Sequence, residues 1–439
     1  MDVEAWARDN GVALLTPDQF GTTAATDPRL DFGGTVMRTP RCVLRPQTLD
    51  ELSGCLRALA EAELTYKLRG AGYSAGGQVL SDGGVIVELT RLAGIVADDP
   101  EKNEVTVLGG TTWLALGTEL RKTGRRPLVL AENLHMTIGG TLAVGGIGDT
   151  TTVHGLAIQG VTRLVLVTPD GALRRVGPDD RLFRAALGGS GVLGALGEIT
   201  LKTARRAPTL VARTALWGTL DGFLADAAAN ADQRLNEVYM GGMVLRGGRP
   251  IFVATLGNFG AAPEVDDPSL YELKAAIVQP AQVIDRFETQ RQVSYSWGSS
   301  RPSMQVIMPM ASGRELVDGL ARALPGSALG KYVERVGLVV FRGSAGYPMA
   351  PLPAGRHLLA ILLRAEVTEP RVPEEVLANL KLFGERALEA GGRVVMTSID
   401  VGRPDLTRLQ LGDAWTELEA LRSELDPKRL CNRDVLPAQ

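Results

Sequence analysis

Apolar and polar positions alternate with changing period along this chain, and the period sets the predicted elements. In CVLRPQTLDELSGCLRALAEAELTYKLRG, residues 42–70, a short apolar run gives way to Leu52, Leu56 and Leu59 at helical spacing, then to a second extended run. The pattern predicts strand, helix and strand, with Thr48 as N-cap because its hydroxyl can satisfy a first-turn N–H. GGVIVELTRLAGIVADDPEKNEVTVLGGTTWLALGTELRKTG, residues 83–124, predicts two short strands, a turn at Asp99-Pro100, a third strand and a helix from Thr112. VTRLVLVTPDGALRRV, residues 161–176, reads as a hairpin about its PDG turn.

The texture changes after Pro208. Helical segments, Asp221 to Arg234 and Pro373 to Ala390, alternate with the extended runs RPIFVATLGNF, SMQVIMPM, RHLLAILLRAEV and RVVMTSI. This predicts a mixed, mainly antiparallel sheet with helices on one face. The tail DAWTELEALRSELDPKRLCNRDVLP predicts a helix ending at Asp426-Pro427 and then an extended end. The expected class is α+β in two domains, residues 1–205 and 206–400, with 401–439 returning to the first.

Composition narrows the function classes. The chain has 439 residues, 45% hydrophobic and 22% charged, and a formal net charge of −3. Basic residues are scattered, so a nucleic-acid partner is not expected. Cys42, Cys55 and Cys431 lack metal-ligand spacing, which argues against a structural metal or disulfide framework and fits a reduced, cytoplasmic setting. MDVEAWARDNGVALL carries acids early and does not read as a signal peptide, and no run reaches membrane-spanning length. The expected partner is a small-molecule substrate; oligomeric state is not legible.

Three glycine-rich stretches stand out in the first half. YKLRGAGYSAGGQ, residues 66–78, places Gly70, Gly72, Gly76 and Gly77 just after a predicted strand. Bare backbone in successive turns makes a nest of N–H groups that binds anions. The alternative is a tight loop that simply needs glycine. No helix follows and no GK[ST] is present, so this is neither a Rossmann fingerprint nor a P-loop. HMTIGGTLAVGGIGDTTTVHG, residues 135–155, adds a second such stretch in sequence that reads as mostly non-helical, and LFRAALGGSGVLGALGEITLKT, residues 182–203, a third. Together they suggest a large ligand contacted by backbone along its length.

In their order, CVLRPQTLDELSGCLRALAEA, LRGAGYS, TIGGTLAVGGIG, LGGSGVLGALGEIT and DPKRL resemble the vanillyl-alcohol oxidase / p-cresol methylhydroxylase (PCMH-type) flavoproteins, above all cytokinin dehydrogenases and their bacterial relatives. The resemblance implies an FAD-binding domain and a substrate domain. It assigns Arg69, Gly70, Ala71, Gly72, Tyr73 and Ser74 to the pyrophosphate side of FAD. Gln78, Thr137, Gly139, Gly140, Thr141, Gly145 and Ile199 would line the rest, and His154 would be a polar contact near the ring. Many relatives have, at the position of Tyr73, a histidine bonded to the flavin; others add a cysteine before the TIGG segment. Here the first is tyrosine and the second is missing. A phenol with pKa near 10 is a poor nucleophile without a base, so non-covalent FAD is expected, with an aryl-ether link as the alternative.

Oxidation at a carbon bearing N or O needs a base for the neighbouring proton. At the offset where the family carries an aspartate stands Glu132, a base or a solvated loop carboxylate, with Asn133 and His135 as neighbours; His357, in an apolar run, reads as a core or strand-edge residue or as a further catalytic candidate. Met240 occupies the place of a family glutamate, which makes an adenine-based cytokinin an unexpected substrate. Tyr239, Met240, Tyr295 and Trp297 are the substrate-binding candidates, with Met304 and Met308 as further apolar ones; the alternative for each is plain core. The implied function is an FAD-dependent oxidase or dehydrogenase of a small organic molecule, and the Ala-, Gly-, Arg- and Leu-rich composition fits secondary metabolism. The alternatives are a flavoprotein cyclase or isomerase, or an oxidative decarboxylase.

Overall fold

The computed structural model describes residues 1–21, 27–205, 209–259, 277–278, 282–285, 299–344, 347–350, 352–402 and 404–435. Three sheets organise it. The first has four strands: Ala13–Leu15, Cys42–Arg45, Val85–Glu88 and Tyr66–Arg69 in that spatial order. Cys42–Arg45 and Tyr66–Arg69 both run parallel to Val85–Glu88. A parallel neighbour demands a crossover, and the helix Leu49–Glu61 supplies it. The Thr48 hydroxyl caps that helix by accepting from the Glu51 N–H at 3.1 Å, and Leu52, Leu56 and Leu59 are buried.

A second, antiparallel sheet is built around the long strand Ala195–Arg205, flanked by Glu104–Leu108 and Val161–Val167. Residues 161–176 form the expected hairpin. The second glycine stretch is more helical than its sequence suggests. Thr137 caps a short helix, Ile138–Leu142, and Thr151–His154 forms another single turn. Tertiary contacts hold such short helices despite two adjacent glycines.

Among the described residues, the third sheet has nine antiparallel strands between Thr209 and Val394. Its faces are separated by strict alternation. On Ser303–Pro309, the even positions Met304, Val306 and Met308 pack with helices Leu220–Gln233, Met310–Ala323 and Glu374–Glu389; Ile307 joins the core shared with the first half. On His357–Arg364 the phase is opposite: Leu359, Ile361 and Leu363 face the helices, while Leu358 and Ala360 face the first half. The Glu374–Glu389 helix buries Val376, Leu380, Phe383 and Ala387, one stripe at helical spacing. The antiparallel sheet backed by helices thus stands as expected from the sequence, although RVVMTSI contributes only the two-residue strand Arg393–Val394. Among the described residues, no helix is long and apolar enough to cross a membrane.

The chain's tail closes the first sheet. The Tyr66 N–H donates to the Leu430 carbonyl at 2.9 Å, and the Asn432 N–H to the Tyr66 carbonyl at 2.9 Å. Asp426, buried, makes that turn by accepting from the Leu430 and Cys431 N–H groups, each at 2.9 Å. Asp426→Ala would leave two buried donors unpaired. We expect a loss of about 2–4 kcal/mol of stability, read by urea unfolding, against less than about 1 kcal/mol for Asp413→Ala at the other end of the preceding helix.

Candidate active site

A cleft runs between the glycine loops and the inner face of the third sheet. One wall consists of Gly70–Ser74, Gly109, Thr137, Gly139–Thr141, Gly146, Gly188, Ser190, Gly191 and Gly194. The opposite wall is Ser303, Gln305, Ile307, Leu362, Arg364 and Arg393–Thr397.

Several of these glycines are demanded by space. A Cβ on Gly70 would collide with the Thr137 hydroxyl, one on Gly109 with the Leu196 carbonyl, and one on Gly139 with the Gly109 carbonyl. Gly72 also has φ +81°, and a Cβ there would meet the Arg69 guanidinium. Hydrogen bonds lock the loops together. The Ala75 N–H donates to the Thr397 carbonyl at 2.9 Å, and Gln78 Nε2 to the Ser398 carbonyl at 2.6 Å. Asn432 ties two segments of the glycine wall by accepting from the Leu68 N–H at 2.9 Å and donating Nδ2 to the Ser190 carbonyl at 3.0 Å.

The residues fit an extended dinucleotide. The main-chain N–H groups of Ala71, Gly72 and Ser74 line the cleft and donate to no described acceptor, and the Ser190 hydroxyl is buried without a partner. Buried donors in want of acceptors suit a diphosphate, which brings only acceptors. Arg69 stands behind this loop: it is buried, donates to the Pro28 and Leu30 carbonyls at 3.4 Å, and its charge is disfavoured by burial. Thr141, whose hydroxyl accepts from Trp113 Nε1 at 2.9 Å and donates to the Thr137 carbonyl at 2.9 Å, fixes the next segment.

Of the sequence candidates, Gly70, Ala71, Gly72, Tyr73, Ser74, Gln78, Thr137, Gly139, Gly140, Thr141 and Glu132 line the cleft. Tyr73 packs edge-on against Phe32, with ring centroids 5.2 Å apart. Others are placed elsewhere. Gly145 precedes the lining residue Gly146 and faces Leu156 and Ala350. Ile199 is core, paired with Val107 and Leu164. His154 lies by Arg126 and Glu237, outside the lining; burial first, and then Arg126, push its pKa down to about 4. His135 is outside the lining, and its N–H donates to Asn133 Oδ1 at 2.9 Å. His357, the first residue of an interior strand, pairs with Asp232 at 3.0 Å and is outside the cleft lining. Tyr239 is on the helix face, packed with Trp217 and Phe223, because alternation puts it one position out of phase; Met240 has the inner phase but packs in the core. Met304 and Met308 are fully buried core. Tyr295 and Trp297 lie outside the described residues.

Residues 40–177 match the family described as FAD binding domain. The Arabidopsis thaliana cytokinin dehydrogenase 2 is 32% identical over 197 residues, which cover 42% of this chain and 39% of that protein. Cytokinin dehydrogenase 3 of Oryza sativa subsp. japonica is 34% identical, over 41% of this chain and 37% of its own length. An uncharacterized oxidoreductase, ORF5 of the fasciation locus of Rhodococcoides fascians, is 24% identical but covers 92% of this chain and 95% of its own. Residues 40–177 are thus an FAD binding domain, and over most of its length the chain is similar to an oxidoreductase. Its matched part spans about two fifths of the plant cytokinin dehydrogenases.

Asp31 braces the glycine loop from behind. It accepts from the Gly77 and Thr35 N–H groups, each at 3.1 Å, and from the Thr35 hydroxyl at 3.3 Å. Burial raises its carboxyl to about 6, against the opposing pull of the Val36, Thr35 and Gly77 N–H groups. Between the ordinary carboxylate value and about 6, the folded protein holds a proton that the unfolded chain has released. Stability is therefore present at the acid end of that window and lost as pH rises through it. We expect wild-type stability to fall by up to about 3 kcal/mol from pH 4 to 6.5 relative to Asp31→Asn, read by urea midpoints. A pH-independent difference would remove Asp31 from this role.

Proposed function

We propose that the protein is an FAD-dependent oxidase or dehydrogenase of a small organic molecule and that Glu132 is its general base. Bound FAD supplies the hydride acceptor. The supporting observation is that Glu132 is the one carboxylate among the described lining residues, beside Asn133, Met136 and Thr137. A base that takes a hydroxyl or amine proton as the adjacent carbon loses hydride must reach into such a cleft.

Arg335, from the sheet, is near enough to feel Glu132: burial disfavours the Arg335 charge, and Glu132 acts in the opposite direction. Met240 offers no acid for the amines of an adenine, so an adenine-based cytokinin is not the proposed substrate. Tyr73 packs beside the cofactor, with no bond to it.

Glu132→Gln should leave FAD stoichiometry unchanged and slow anaerobic flavin reduction by about 10²–10⁴-fold, with loss of the carboxylate limb of its pH profile. Stopped-flow with any compound that bleaches the wild-type flavin makes the measurement. Reduction within about threefold of wild type, with the limb intact, would exclude Glu132 as base.

A further inference from the structure

One acidic and two basic side chains line the cleft among the described residues: Glu132, Arg364 and Arg393. The strand registers place them. Arg364 pairs with Ser303, Leu362 with Gln305, and Ile307 with both Ala360 and Arg393, all on the cleft face of the sheet. Arg335 precedes Val336, the partner of Leu363, and so lies level with Arg364 on the neighbouring strand.

The three guanidinium groups differ in how they are engaged. Arg335 crosses Gly242, donates to the Met240 carbonyl at 3.2 Å and lies in the field of Glu132. Arg393 donates Nη1 to the Gly391 and Gly392 carbonyls at 3.3 and 2.9 Å. Arg364 has no described hydrogen-bond acceptor or ion-pair partner, and its Nε is shut off from solvent without one. Glu366, two residues on, is hydrogen-bonded by Arg301 at 2.9 Å and Ser299 at 3.0 Å, and Arg364 acts on it only through space. A cation on a partly buried wall with unsatisfied donors favours an anion, and a planar guanidinium matches a carboxylate with two parallel hydrogen bonds.

We propose that the substrate carries a carboxylate and that Arg364 binds it. The Leu362 and Ile307 side chains beside it call for an apolar body attached to that acid. Charge then divides across the cleft: Arg335 answers Glu132, and Arg364 answers the substrate. This rests on the reading of the cleft as the substrate pocket of a flavoenzyme.

The test titrates the FAD-loaded full chain with benzoate, phenylacetate and hexanoate, each against its neutral amide. Calorimetry and perturbation of the flavin visible band are the readouts. At least one acid should bind about tenfold or more tighter than its amide. Arg364→Gln should shrink that preference to within about threefold of unity, Arg364→Lys should restore part of it, and Arg393→Gln should leave most of it. Acids that bind no better than amides, or a preference that survives Arg364→Gln, would overturn the proposal. So would loss of FAD from Arg364→Gln, which would assign the residue to the cofactor. A wild-type chain that takes up no FAD would instead sink the flavoenzyme reading on which this rests.

Discussion

Backbone has to approach backbone at the floor of the cleft, and much of the first half of the chain is arranged around that approach. Gly109 and Gly139 meet main chain to main chain, Gly70 leaves room only for the Thr137 side chain, and Gly188 abuts Ala350. Side chains at these places would separate the loops and cover the unpaired N–H groups of residues 71, 72 and 74. A diphosphate held this way is neutralised by dipoles, with no lysine among the described lining residues. The arrangement stays in place because strand ends, helix caps and the returning tail clamp it. Thr137 begins a helix, Gln78 and Ala75 reach the third sheet, and Asn432 bridges the Leu68 and Ser190 segments.

The third sheet supplies the other wall by a simpler rule. Each strand sends alternate residues to the helices and to the cleft, so one sequence position decides between core and site. Glu132 reaches the cleft from the loop side, and Arg364 and Arg393 from the sheet side. The chemistry is thus bracketed between a carboxylate on one wall and cations on the other, with Leu362 and Ile307 between them.

The strand–helix–strand opening, the hairpin at 161–176 and the glycine loop were legible in the sequence because local rules govern them: apolar period, Thr48 and Thr112 as caps, PDG as a turn. Glu132 was legible through its fixed distance from a family motif. For Tyr239 and His357 the sequence left a site role beside a plain core or strand-edge one, because strand phase and ladder register depend on partners distant in sequence. Tyr239 has the polar-tipped look of a pocket residue, yet its neighbours in space are Trp217 and Phe223. Ile199 and His154 came from positional analogy, and burial places both outside the lining. Asn432 and Arg364 were missed. The alternating pattern of RHLLAILLR does mark Arg364 as sharing a face with Leu362, but only the sheet's packing reveals that this face looks into the cleft. For Asn432, the signal was a polar residue following the buried Leu430 and Cys431 in the closing segment.

The claim on which all of this depends is that the glycine-lined wall holds FAD through main-chain contacts without a bond to Tyr73. Acid precipitation of the purified chain, after saturation with FAD and removal of the excess, measures it directly. The account predicts about one FAD per chain, all of it released to the supernatant, and little uptake by Gly70→Ala, whose Cβ would meet Thr137. A wild-type chain that carries no flavin, flavin that stays with the pellet, or a Gly70→Ala chain that loads as well as wild type would contradict it.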